Sequence, residues 1–426
     1  MAVSARSAAA YSPFRVRSFR FQWPADLCAS FGFEMETIIL GWYVLVETQS
    51  VLMLSVFGAL QYLGTLFAPM SGILGHRIGN KRVICAMRGC YALLASTVMT
   101  LALTGVLMPV HVFIFGTLLG LFRPSDLVMR YSLIGQTIPS ENLLGATSIS
   151  RTTQDGARVM GALSGAGLSA ALGIGYAYMA IAALYATSLL LSLNVAGRSV
   201  AGAGTGTRAD TSAAAGRNTS PWRDLLDVLD YVWNTPRLLA AMWIAFLVNV
   251  SAFPFMTSLM PYVAKEIYHT GQAGVGYLVA SFAGGALLGS IALSRYGGYI
   301  RPGRMILAFC AVWYLLVLVF VQMPGPGSGS IALMLCGLAQ SLCLVPLSAM
   351  LLRTSDERYR GGVMGVRQLM IYGVPIGLLA AGPTIAHFGF PMTATLYGVF
   401  SLAVTALIAA KWRSALWRLN APANAR

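Results

Sequence analysis

QWPADLCASFGFEMETIILGWYVLV, residues 22–46, is long and apolar enough to cross a bilayer, yet it carries three carboxylates. At a rise of about 1.5 Å per residue, a helix of this length crosses roughly 30 Å of hydrocarbon. Lipid offers no partner to a backbone N–H or C=O, so a helix, which satisfies both internally, is its expected form. Arg6, Arg15, Arg17 and Arg20 precede the segment, but it is too long and too acidic for a cleavable signal peptide. It is expected to remain as a membrane span.

Comparable stretches recur at 51–75, 83–107, 109–133, 143–170, 173–196, 237–263, 272–295, 304–323, 329–352, 362–387 and 391–411. Of 426 residues, 57% are hydrophobic and 10% charged, where a soluble domain carries about a quarter charged. The chain therefore reads as an all-α membrane protein of about twelve transmembrane helices in the lipid bilayer. Its net charge of +15 does not point to nucleic acid, because the basic residues fall on alternate loops. One set holds the N-terminus, Arg77, Lys81, Arg82, the stretch Arg198 to Arg237, Arg295, Arg301, Arg304, Arg353, Arg358, Arg360 and the tail from Lys411 to Arg426; the other holds Lys265 alone. Basic loops stay in the cytoplasm, so both termini are expected inside, in a multi-pass protein of the inner membrane.

The expected organisation is a cytoplasmic segment at 1–21, a six-helix bundle at 22–197, a cytoplasmic linker at 198–236, a second six-helix bundle at 237–411 and a tail at 412–426. AGAGTGTRADTSAAAGRNTS, within the linker, lacks the apolar surface needed to order itself. PWRDLLDVLDYVW follows, with Leu225, Leu226, Leu229 and Val232 at helical spacing opposite Asp224, Asp227 and Asp230, which predicts an amphipathic helix on the cytoplasmic surface. The halves look like repeats. GATSISRTTQDGARVMG (145–161) and GGVMGVRQLMIYGVPIG (361–377) share their Gly, Arg and Gly positions: Gly145, Arg151 and Gly161 correspond to Gly361, Arg367 and Gly377 at a shift of 216 residues.

GILGHRIGNKR, residues 72–82, resembles the major facilitator loop signature G-x-L-x-D-R-x-G-R-R/K at Gly72, Leu74, Arg77, Gly79 and Lys81, with His76 in place of Asp and Asn80 in place of a base. GFEMETIILGW (32–42), with Glu36 for a Gln, ARVMGALSGAG (157–167) and the stretch Leu259–Ser290 resemble the branch containing enterobactin and macrolide exporters. The resemblance implies the major facilitator fold and a monomeric secondary transporter working by alternating access, as a proton-coupled exporter of an amphipathic small molecule. Transport of a siderophore, iron chelate or other organic anion in either direction stays open, as does a non-transporting sensor or assembly factor. It also implies that the loop signature locks the bundles together. Gly156, Gly161, Gly165, Gly167, Gly276, Gly284, Gly285 and Gly289 read either as close helix contacts or as a rocking seam.

An ion at a helix centre costs about 2.5–3.5 kcal/mol on insertion scales, so it faces a partner or a cavity. Asp26, Glu34 and Glu36 share one broad face of the first span with Ser30 and Thr37. Glu34 and Glu36 lie near midplane by counting and are the leading proton-coupling candidates, with Asp26, Asp126 and Asp155 as the others. Arg123, Asp126 and Arg130 on the fourth span, and Arg151, Asp155 and Arg158 on the fifth, are spaced as acid between two bases on one stripe. Each trio reads as an ion-pair network that fixes helix register or as part of the coupling machinery. Asn249, Gln340 and Tyr372 are candidates for the substrate cavity, or simple packing residues. The six cysteines show no metal-ligand spacing and read as free, buried residues, and the histidines at 76, 111, 269 and 387 are dispersed. No cofactor or metal is expected, and no enzyme motif is present.

Topology is tested on a background with the native cysteines removed. Thr205→Cys and Asn420→Cys are expected to stay unlabelled by a membrane-impermeant maleimide in intact spheroplasts and to label after permeabilisation; labelling of either before permeabilisation overturns the inside assignment.

Overall fold

The computed structural model describes residues 12–66, 78–195, 221–296, 302–356 and 359–413, and among these every regular element is helical. Helices α1 (Arg17–Thr48), α2 (Val51–Leu60), α3 (Asn80–Leu103), α4 (Pro109–Thr137), α5 (Ser140–Leu172) and α6 (Ile174–Leu193) make up the first half. After the amphipathic α7 (Pro221–Asn234) come α8 (Pro236–Ser251), α9 (Gln272–Tyr296), α10 (Pro302–Val321), α11 (Pro326–Thr354), α12 (Arg360–Leu369) and α13 (Gly373–Lys411).

Nine helices among the described residues are long and apolar enough to cross a membrane. The twelve expected spans map onto them with three differences. The last of the nine, Gly362–Lys411, holds two expected spans, separated inside α13 where Gly389 takes φ 76°, a conformation that glycine adopts without a Cβ clash. α5 is 33 residues long but carries Arg151, Asp155 and Arg158. The second span is represented by the apolar helix Val51–Leu66, and its continuation at 67–77 lies outside the described residues. The seventh span is not a regular helix either. α8 gives way to π-helical turns at Pro254–Ser258 and Val263–Ile267, on either side of a short turn at Met260–Tyr262. Pro254 and Pro261 explain this, since a proline inside a helix removes a donor and crowds the preceding turn.

Two compact units are formed, one from Met1–Ala201 with Thr257–Gly284 and the other from Gly202–Met256 with Gly285–Arg426. In the first, α1 packs along α5 and α6, and α3 along α6, around a core that includes Phe33, Met35, Tyr91, Tyr178 and Tyr185. Thr257–Gly284, which the sequence groups with the second half, joins this unit because small residues meet there. A Cβ built on Gly276 would lie 2.5 Å from the Cβ of Ala166, and one on Gly41 would lie 3.4 Å from Pro261. In the second unit α10 packs along α11 and α13, and α8 along α13. Trp313 and Phe320 are buried there, and the Ser251 and Tyr314 hydroxyls lie 2.8 Å apart.

The repeat is visible as a packing relation. A Cβ on Gly161 would meet Glu34 Cβ at 2.7 Å, and one on Gly377 would meet the backbone of Val250. The shift of 216 residues that carries Gly161 to Gly377 also carries Glu34 to Val250. Gly165 (on Met35), Gly276, Gly285 (on Met334) and Gly289 (on Leu338 and Ser341) are likewise close contacts, whereas Gly156, Gly167 and Gly284 face open space.

α7 carries its buried residues, Val228 and Val232, on one side, with Val228 against Gly362 and Tyr231 stacked on Tyr359 at 4.5 Å. Leu226 and Leu229, expected to share a face with Val232, are exposed. The cysteines also differ from expectation: Cys310, Cys336 and Cys343 are buried, but Cys90 is exposed on α3 and Cys28 and Cys85 are half-buried.

Gly165→Val is expected to lower the thermal unfolding temperature and folded yield, because its Cβ would lie 2.7 Å from Met35 Cα and overpacking costs about 1–3 kcal/mol. Gly167→Val, two residues along in open space, is expected to behave as the parent. Thermal unfolding and size-exclusion chromatography of both variants check this, and equal behaviour would refute the packing role.

Candidate functional site

Three carboxylates on α1 diverge into three different settings. Asp26 meets Arg88 of α3, and Arg88 also donates to Ser192 of α6. Arg130 of α4 stands beside both acids of this group, with Nε 2.6 Å from Asp126 and 3.7 Å from Asp26, and donates to Ser30 Oγ at 2.7 Å. Arg88 Nε and Asp126 Oδ1 lie 3.9 Å apart. The result is two cations and two anions, none with a side chain more than 7% exposed. Such a buried, neutral tetrad ties α1, α3 and α4 together, and Arg88 extends it to Ser192 of α6. Arg88 was not among the residues read from the sequence as a network. Its only sequence signal is a base six residues inside an apolar span.

Glu34 sits about two turns beyond Asp26 along α1 and is shared by two arginines: Arg123 Nη2 at 3.2 Å and Arg158 Nε at 3.7 Å. The two trios expected on α4 and α5 are therefore not closed units. Asp126 keeps Arg130 and Asp155 keeps Arg151, at 3.6 Å, but Arg123 and Arg158 both turn to α1. Arg123 also donates to Thr37 at 3.3 Å and lies over the Phe33 ring at 5.0 Å. Glu34, read from the sequence as a leading coupling candidate, is thus an ion-paired acid.

Glu36 points towards α6. Tyr178 and Tyr185 donate to its two oxygens at 3.1 and 2.9 Å, and it is 4% exposed. Gly32 makes room for this: a Cβ there would lie 2.8 Å from the Tyr185 ring. Phe33 and Tyr91 hold Tyr185 from the sides, with centroids 5.6 Å away in each case. Among the described residues no cationic nitrogen lies within 4.0 Å of the Glu36 carboxylate.

Glu36, Thr37 and Arg123 line a narrow recess with Phe33, Leu40, Phe57, Gln61 and Leu119. Gly116 and Gly120 of α4 shape it by admitting Phe57 and the backbone of Leu60 and Gln61. A second narrow recess shares Thr37, Phe57 and Gln61 and is closed by Thr257, Ser258 and Pro261. The cavity residues expected in the second half are not among these linings. Asn249 donates to the Ala245 carbonyl at 2.7 Å, Gln340 is buried and Tyr372 lies in a 3₁₀ turn, Met370–Tyr372.

Of the loop signature, Gly72, His76 and Arg77 lie outside the described residues. Gly79 precedes α3 at φ 98°, where a side chain would be strained. Lys81 follows on the first turn of α3, and Asn80, in the place of a base, is buried with its amide on Ser132. Among the described residues no group of three His, Cys, Asp or Glu could hold a metal ion.

The sequence profile of the Major Facilitator Superfamily matches residues 23–378. No curated protein matches the chain in sequence. Among solved structures, it is similar to a bacterial homolog of the human lysosomal transporter Spinster, in an inward-facing and unoccupied conformation. That match has a TM-score of 0.74 at 11% identity and covers 96% of this chain and 99% of the other. The nucleoside transporter NupG gives a TM-score of 0.67 at 13% identity, over 93% and 99%. A POT peptide transporter in complex with sulfate gives 0.71 at 13%, over 95% and 96%. At these identities the likeness is one of fold.

Removing Arg88 leaves two buried acids to one base. Arg88→Ala is expected to destabilise the chain by about 3–5 kcal/mol, and Arg88→Met combined with Asp26→Leu, which removes one charge of each sign, to recover part of that loss. Thermal unfolding beside Arg413→Ala, which lies past the last span, checks this: a shift as small for Arg88→Ala as for Arg413→Ala would sink the tetrad.

Proposed function

The chain belongs to the major facilitator superfamily, a multi-pass membrane transporter rather than an enzyme, and from that premise we propose that it exports an amphipathic small molecule across the inner membrane, coupled to protons through Glu36. The observation that carries the coupling is the setting of Glu36 on the wall of the recess. Two neutral hydroxyls donate to it and, among the described residues, no cationic nitrogen lies within 4.0 Å of it, so its charge can change without breaking an ion pair. Asp26 and Asp126 are held in the tetrad and Asp155 by Arg151, which leaves them as structural acids in this reading.

The amphipathic character of the substrate follows from the recess, where Phe33, Leu40, Phe57 and Leu119 face Gln61, Thr37 and Arg123. A few placed polar groups on an apolar wall suit a molecule with an apolar body and a polar end. Outward direction is supported by the resemblance of residues 32–42 and 157–167 to exporters, and the cytoplasmic placement of the termini by the basic loops. Alternating access between two half-repeats, as a monomer, is the mode the repeat supports.

The substrate is to be identified as the compound that accumulates in cells of a deletion strain and returns to the medium on complementation, read by mass spectrometry. In proteoliposomes loaded with that compound, the parent is expected to move it uphill when a pH gradient is imposed. Glu36→Gln is expected to keep counterflow exchange but lose the response to the gradient. Gradient-driven movement by Glu36→Gln with the parent's pH dependence would remove Glu36 from coupling; absence of flux in the parent would overturn transport itself.

A further inference from the structure

The intramembrane charges divide into a closed set and an open one. In the tetrad each charge is matched and enclosed, with Arg88 and Arg130 side chains 1% and 3% exposed. Arg123 and Arg158 are 34% and 36% exposed and share a single carboxylate, Glu34. That group of three carries one positive charge in excess. Arg158 stands 3.7 Å from Glu34, beyond a good hydrogen bond, so its donors are not used up there. A half-buried cation without a full partner is costly in a membrane protein, and a monoanion arriving beside it restores neutrality.

We propose that Arg123 and Arg158 form the seat for the acidic head of an amphipathic organic monoanion, with Glu34 as the internal carboxylate that occupies the seat when the ligand is away. This rests on the transport reading above and names a substrate class, Arg123 being the member of the seat that also lines the recess. Stacking over Phe33 fixes the Arg123 guanidinium, at 5.0 Å from the ring centre, so that its planar fork is presented in one orientation. The Thr37 hydroxyl supports it from α1. Beyond the guanidinium the wall turns apolar at Phe33, Leu40, Phe57 and Leu119, which suits an aromatic or aliphatic body attached to the acid. Glu36 turns both its oxygens to the tyrosines of α6, away from the seat. A cationic ligand would add to the excess positive charge, and a neutral one would leave it unmatched.

A matched series tests the charge rule without knowledge of the natural substrate: 1-naphthaleneacetate, 1-naphthaleneacetamide and 2-(1-naphthyl)ethylammonium, with acetate as the head group alone. Binding to the purified full chain in nanodiscs of phosphatidylethanolamine and phosphatidylglycerol is read from the concentration dependence of thermal stabilisation. The naphthyl acid is expected to bind about tenfold or more tightly than its amide, its ammonium analogue or acetate. Arg158→Gln is expected to flatten that preference to within about threefold. Glu34→Gln, which removes the competing internal carboxylate, is expected to strengthen binding of the acid about tenfold. The preference within the parent needs no variant to fold, and Arg158→Lys, which keeps the charge, is expected to retain most of it. Equal binding of the three naphthyl compounds, no binding of the acid, acetate binding as well as the naphthyl acid, or weaker acid binding in Glu34→Gln would each overturn the proposal. Proton-driven flux of the accumulated compound is measured separately. A lost flux beside an intact acid preference overturns the transport reading alone, and a flat preference beside intact flux overturns this one alone.

Discussion

An ion in hydrocarbon must find its counterpart within the protein, and the placement of α1 follows from that constraint. Three of its acids look to different neighbours: Asp26 to α3 and α4, Glu34 to α4 and α5, Glu36 to α6. Turning α1 by one residue, about 100°, would withdraw all three at once and leave arginines facing apolar side chains. Apolar contacts alone do not set helix register this sharply in lipid, where a leucine is as well solvated by acyl chains as by another leucine. Glycine then lets the elements close on this arrangement, at Gly32 for the Tyr185 ring and at Gly161 and Gly165 for the backbone of α1.

The spans were legible in the sequence because membrane crossing depends on length and apolarity, both local properties. Local properties also misled. The trios at 123, 126, 130 and at 151, 155, 158 lie on helical stripes, and spacing within one helix cannot say which neighbour competes for a charge. Arg123 and Arg158 left their own stripes for Glu34 because that acid, held between α4 and α5, would otherwise have no cation. Arg88 escaped notice for a related reason: nothing near it in sequence is acidic, and its partners are 62 and 38 positions away on α1 and α4. The tyrosines around Glu36 were hidden in the same way, since a tyrosine in an apolar span looks like packing until an acid is found opposite its hydroxyl.

The two halves keep a common scaffold and divide the chemistry. Gly161 on Glu34 and Gly377 on Val250 are the same helix contact repeated, but a carboxylate stands in one and an aliphatic side chain in the other. The buried polar groups around α8, such as Ser251 with Tyr314, are neutral hydroxyls. Close approach through small residues is therefore what the repeat conserves in geometry. Among the described residues the buried carboxylates, Asp26, Glu36, Asp126 and Asp155, all lie on one side of it.

The break at Gly389 bears on how the last part of the chain reaches the bilayer. Helix runs up to it and away from it with no connecting loop, the Thr393 hydroxyl closes onto the Gly389 carbonyl at 2.9 Å, and Tyr397 donates across to the Gly377 carbonyl at 3.4 Å. During synthesis there is no hydrophilic stretch here to be carried over the membrane ahead of the final span. The eleventh and twelfth spans form one helical hairpin, the shape in which two crossings can enter a bilayer together.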